Sequence, residues 1–203
     1  MKTWKLTTPV SADDIKDIRI GDVVYLTGRV VTGRDITHRR VVELGQELPT
    51  DIKDCAVFHA GPITKQNEDG SYMMVSIGPT TSSRMEKFEK PFVEKTGVRL
   101  IIGKGGMGKN TEEACKQFKA LHLVLPAGNA VHAAIKFKRI VDVQWKDAGM
   151  PEALWISDVE DLGPLVVSID TEGNNLFEQN KIEFNKRKDE ELARISKELN
   201  FIK

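Results

Sequence analysis

The chain has 203 residues, enough to bury one sizeable core, and its 30 Lys+Arg cancel its 30 Asp+Glu. That balance argues against general nucleic-acid or membrane-surface binding, both of which need a net basic face. Only Cys55 and Cys115 carry thiols, far apart and in no Cys-x-x-Cys spacing, which excludes a disulfide scaffold and a three-thiolate iron–sulfur site within this chain.

The N-terminus, Met1-Lys2-Thr3-Trp4-Lys5, lacks the apolar core of a secretion signal, and no apolar run approaches the ~18 residues of a membrane span, so a cytoplasmic address is expected. Strands are predicted at 23–27 and 29–31 around Gly28, at 55–59 and at 73–77, with a hairpin turn at Asn67-Glu68-Asp69-Gly70. Runs 98–102 and 122–125 read as buried strands flanking a helix; 139–143, 154–156 and 165–169 are further β-like runs. Helices are predicted at 36–45, 81–94, 111–119 and 130–135, with Pro91 kinking or dividing the second. From 178 onward the chain is charged, with Leu192, Ile195 and Leu199 at helical spacing, as in an amphipathic helix. The alternation of strands and helices predicts one α/β layered domain over 1–203, with 178–203 as a helical tail.

Three polar, glycine-containing turns lead from a strand toward a helix. They are Thr32-Gly33-Arg34-Asp35, Gly78-Pro79-Thr80-Thr81-Ser82-Ser83-Arg84 and Gly103-Lys104-Gly105-Gly106-Met107-Gly108. A helix N-terminus offers unpaired N–H groups and partial positive charge, and each turn adds a cation: Arg34, Arg84 or Lys104. Arginine clamps a carboxylate with two hydrogen bonds, whereas lysine is a compact point charge. Taken singly, each turn is more simply an ordinary helix start; three with matching chemistry point to an anion site. Asp35 and His38 fall one helical turn apart, so the carboxylate is expected to orient the imidazole and raise its pKa toward the working range for proton transfer. His59 and His122, in apolar runs, read as packed, hydrogen-bonded residues.

The third turn, continued to Lys109-Asn110, nearly spells a phosphate loop, and a nucleotide-binding module using Gly103 to Asn110 is the competing reading. Asn110 stands where a Ser or Thr hydroxyl should hold magnesium, which weakens it.

The three turns occur in order with His38, then with Gly149-Met150-Pro151-Glu152-Ala153 and Trp155, then with Ile169-Asp170 and Gly173-Asn174. This set resembles the β subunit, or C-terminal domain, of the class I (iron–sulfur) fumarase and L(+)-tartrate dehydratase family, over nearly the whole chain. The resemblance implies a swivelling β/β/α domain and a partner α subunit, together an α2β2-like hetero-oligomer. The partner, not this chain, carries an oxygen-sensitive four-iron–four-sulfur cluster, so no metal ligand is expected here. The implied reaction is reversible hydration of fumarate to (S)-malate, with dehydration of L(+)-tartrate to oxaloacetate as the alternative. The same resemblance directs Arg34, Thr80, Arg84 and Lys104 to the dicarboxylate and makes His38 a proton acceptor. Asp35 then orients His38, and Thr80 positions substrate or relays a proton.

Overall fold

Strands β2 (Val23–Thr32) and β9 (Leu154–Ile169) pair antiparallel, from Val23 opposite Val166 to Val31 opposite Ile156, and the rest of the sheet is hung on them. The computed structural model describes residues 1–199; the expected tail at 200–203 lies outside the described residues. The remaining strands are β1 (Thr3–Thr7), β3 (Ala56–Phe58), β4 (Ile63–Gln66), β5 (Tyr72–Ser76), β6 (Leu100–Gly103), β7 (Leu121–Val124) and β8 (Phe137–Gln144). The helices are α1 (Ala12–Ile15), α2 (Asp35–Val42), α3 (Glu86–Thr96), α4 (Lys109–Phe118), α5 (Ala130–Ala134) and α6 (Leu176–Glu198).

The main sheet runs β1-β2-β3-β6-β7-β9-β8, and the extra β2–β9 pairing returns it on itself. The result is a partly closed, barrel-like sheet in a mixed α/β domain. β4 and β5 form a separate hairpin turning at Asn67-Glu68-Asp69-Gly70.

The inner strands are buried on both faces, as parallel strands under helices must be. Their alternate residues enter different cores. Val30, Ala56, Phe58, Leu100, Ile102, Leu121 and Leu123 fill the inside of the curved sheet. Val31, Val57 and Ile101 face outward against Val41 of α2, Phe92 and Val93 of α3 and Ala114 and Cys115 of α4.

Several predicted boundaries move. The two early strands are one, because Gly28, at φ +102°, carries the chain past Thr8 within contact distance of its backbone. The runs 154–156 and 165–169 likewise join into one 16-residue strand. Helix α3 continues through Pro91; the division falls upstream, at Met85, after a 3-10 turn over Ser82–Arg84.

Candidate active site

Parallel pairing sets Thr32 beside Phe58 and Phe58 beside Ile102, so β2, β3 and β6 end together. The turns after β2 and β6 therefore emerge as neighbours at the carboxyl end of the sheet, where open α/β folds collect ligands. The second turn is stitched between them. Thr80 N–H donates to the His59 carbonyl (2.6 Å), Lys104 N–H to the Thr80 carbonyl (3.2 Å) and Ser82 N–H to the Lys104 carbonyl (3.0 Å). Gly103 permits this approach, because a Cβ there would overlap the Ser82 hydroxyl and crowd His59 Nδ1.

Two of the cations are held by acidic partners. Arg84 Nε and Nη2 donate to the two Asp35 carboxylate oxygens at 3.2 and 2.5 Å, joining the second turn to the first. Arg34 Nε lies 3.1 Å from Glu152 Oε1, off the hydrogen-bond direction, so the contact is chiefly Coulombic. The other Glu152 oxygen accepts from Ile36 N–H at 3.2 Å and caps α2. Gly61 leaves room for this, since a Cβ there would strike the Arg34 guanidinium. Thr80 and Lys104, whose backbones are bonded to each other, are both half-buried.

The expected Asp35–His38 contact is not formed, and this corrects the reading of that pair. Asp35 turns outward to Arg84, while His38 is wholly enclosed and packs against the Phe92 ring at a centroid distance of 4.2 Å. Its Nδ1–H donates to the Arg34 carbonyl at 2.8 Å; a carbonyl can only accept, which settles the tautomer. Burial pushes its pKa down to about 4, against the opposing pull of the Arg34 carbonyl and the Asp35 charge.

Behind the turns, His38 Nε2 and His59 Nε2 lie 3.6 and 3.5 Å from the same Glu89 oxygen, all three residues fully buried. Burial, aided by the charge of Glu86, raises the Glu89 pKa to about 8. His59 is lowered by burial and by His38 and His122, and its Nδ1 meets Ser82 Oγ at 3.0 Å. The three residues are close enough to share a cation. Glu89 went unread in the sequence because Glu86, Lys87, Lys90, Glu94 and Lys95 surround it in a charge-rich helix. The one available signal was a carboxylate between Phe88 and Phe92, on the apolar face.

Glu86, also unread, decides the fate of the nucleotide loop. Its carboxylate accepts from Gly108 N–H (2.7 Å), Asn110 N–H (2.9 Å) and Thr111 Oγ1 (2.7 Å). The N-terminus of α4 thus already holds an anion, and a phosphate there would meet a carboxylate instead of free N–H groups. The phosphate-loop alternative is corrected on that ground. Nor do the thiols suit an iron–sulfur cluster: Cys55 and Cys115 are buried packing residues whose pKa values burial raises, with no third thiolate in the sequence.

Residues 1–180 match the Fumarase C-terminus family. The chain is 54% identical, over 98% of both chains, to the L(+)-tartrate dehydratase subunit beta of Escherichia coli K12. It is 40% identical to a putative L(+)-tartrate dehydratase subunit beta of Methanocaldococcus jannaschii, over 82% of this chain and 87% of the relative. A putative fumarate hydratase class I of Geobacillus stearothermophilus is 34% identical over 85% of this chain, which spans 33% of that longer protein. The chain belongs to the fumarase C-terminal family shared by L(+)-tartrate dehydratase β subunits and class I fumarate hydratases.

Proposed function

We propose that the chain is the β subunit of a hydro-lyase acting on a four-carbon dicarboxylate, completed by an α subunit. The observation that carries this is the meeting of three cation-bearing turns at one sheet end, with Arg84 tied to Asp35 beside Arg34. Of the two expected substrates, fumarate and L(+)-tartrate, the names of the β-subunit relatives favour tartrate.

The chemistry suits the residues. Removing a proton next to a carboxylate builds extra negative charge on that carboxylate. Preorganised cations then stabilise the transition state more than the ground state. Arg34, Arg84 and Lys104 supply those charges, with each substrate carboxylate competing against Asp35 or Glu152 for a guanidinium. To the hydroxyl of half-buried Thr80 we assign substrate contact and proton relay, and to enclosed His38 an action from behind, through the Arg34 backbone. The iron–sulfur cluster belongs on the partner, whose iron would supply Lewis-acid chemistry at the leaving hydroxyl. We assign the domain to the swivelling β/β/α type, a reading supported by the curved sheet with α2, α3 and α4 packed on one side. Residues 178–203 form its appended tail, and an α2β2-like cytoplasmic assembly is part of the same proposal. Among the described residues no helix is long and apolar enough to cross a membrane.

The test is reconstitution with the α chain under anaerobic conditions and assay on L(+)-tartrate and fumarate. The expected result is dehydratase activity of the pair and none from either chain alone. Full activity from this chain alone would overturn the division of labour.

A further inference from the structure

Beyond the hold of His38 on the Arg34 backbone, the buried His38–Glu89–His59 group has no role in the reading above. His38 Nδ1 is committed as a donor to the Arg34 carbonyl, so its neutral ring leaves Nε2 as a bare acceptor aimed at Glu89. No hydrogen-bond partner reaches His38 Nε2, His59 Nε2 or either Glu89 oxygen, and all three residues are 0% exposed. Leaving these groups unpaired is costly, and an ionised carboxylate without a cation is costlier. A single proton resolves the arrangement. Glu89 as a carboxylic acid donates to His38 Nε2; its oxygen accepts His59 Nε2–H; His59 Nδ1 accepts the Ser82 hydroxyl proton at 3.0 Å. The separations of 3.5 and 3.6 Å are a few tenths longer than a hydrogen bond, a gap that a small turn of the Glu89 carboxyl closes.

We propose that protonated Glu89 is a positioning residue, a buried acid that bridges His38 and His59 and so locks the Arg34 turn to the Ser82–Arg84 turn. The inference rests on the dicarboxylate reading only for its effect on substrate; the protonation state stands apart from it. A shared metal ion is the rival occupant. It would need an ionised Glu89 and would leave net charge enclosed, and three protein ligands fall short of the four of a closed structural zinc site.

The groups facing Glu89 are His38 from α2, His59 from the end of β3, Cys115 from α4 and Glu86 on its own helix. None is a fixed cation, so nothing nearby favours the ionised form. Burial acts in the same direction.

The experiment uses the α–β enzyme with E89Q and E89A. Infrared spectroscopy at pH 7 should show a protonated-carboxyl carbonyl band that is absent from E89Q and fades in wild type as pH rises through about 8. The amide nitrogen of E89Q, in the place of the shared oxygen, can donate to His38 Nε2 and, once His59 takes the Nδ1–H tautomer and donates to Ser82 Oγ, to His59 Nε2 as well, so KM for the dicarboxylate should stay within about twofold of wild type. E89A should raise KM at least about tenfold at unchanged iron content, the consequence of a loosened first turn. No such band at pH 7 would overturn the proposal, as would stoichiometric zinc lost in E89Q, or an E89A enzyme with unchanged KM. Should E89A fail to fold, the infrared and metal measurements on wild type and E89Q still decide. R34A and R84A are the controls for the site itself. If they bind substrate normally the dicarboxylate reading fails, while the infrared result judges Glu89 independently.

Discussion

Asp35 and Arg84, 49 residues apart in the chain, face each other through two parallel N–H···O contacts. Their side chains are 34% and 50% exposed, so the pair adds little stability, at most about 1 kcal/mol. Its effect is to set the plane of a guanidinium that would otherwise sweep freely through solvent. D35N should therefore lower kcat/KM by about tenfold at nearly unchanged melting temperature, and R84A by about 10²- to 10³-fold, as for loss of one preorganised donor. R84K should not rescue, because an ammonium lacks the planar fork. Steady-state kinetics of the reconstituted pair check all three; a fully active R84K would refute the two-pronged role.

Gly103 is required by the space its absent side chain would occupy. G103A must push Ser82 away or shift the end of β6, which should cost about 1–3 kcal/mol as for overpacking elsewhere. Denaturant midpoints compare the two proteins, and an unshifted midpoint would contradict the close approach.

Stability should fall on both sides of neutral pH. His38 and His122 have folded pKa values of about 4 and about 3, below the ordinary 6.5. The unfolded chain therefore binds protons first, and the stability present above pH 6.5 is lost as pH falls toward those values. Glu89 acts in the opposite direction. With a folded pKa of about 8 against 4.5, its contribution is complete below 4.5 and lost as pH rises through 8. From 4.5 to 6.5 the two slopes oppose. Above 6.5 that of Glu89 remains, and thermal melts of E89Q should be flatter between pH 6.5 and 8 than those of wild type.

Glu86 satisfies the opening of α4 from a neighbouring helix. E86A should destabilise the chain by about 1–2 kcal/mol, the usual scale of a lost cap. Calorimetry with ATP–Mg²⁺ should give no heat of binding in wild type. A tight signal abolished by K109A would restore the nucleotide reading.

Helix α6 extends over 23 residues with Ile182 and Phe184 largely exposed, and the family match ends at residue 180. Such an apolar surface on a projecting helix is suited to a partner chain. Removing residues 181–203 should leave the melting temperature of the domain within about 2 °C, because little of its core is touched, but weaken co-purification with the α subunit. Undiminished association would show that the interface lies elsewhere.

The sequence made the site's cations legible and hid what holds them. Strand periodicity revealed β2, β3, β6 and β7, and the glycine-containing turns marked where chemistry gathers. The roles of Glu86, Glu89 and of Glu152, the last quoted only as part of a motif, were not visible, because each reaches its turn through space and a lone glutamate has no periodic signature. The β2–β9 closure was hidden for the same reason: Val31 meets Ile156 across most of the chain. β1, with only Leu6 buried, and the tiny α1 were too short to register. The Asp35–His38 spacing was compatible with a contact, but Arg84, arriving from another segment, offered the carboxylate a full opposite charge.

The carboxylates beside Arg34 and Arg84 also bear on how substrate arrives. With Glu152 and Asp35 already neutralising the two guanidiniums, of these five charges only that of Lys104 remains uncompensated. A dianion approaching from solution then feels a weak field from this face, and long-range steering is small. Capture by this subunit should depend little on ionic strength, with recognition beginning at contact, when an incoming carboxylate displaces a resident one.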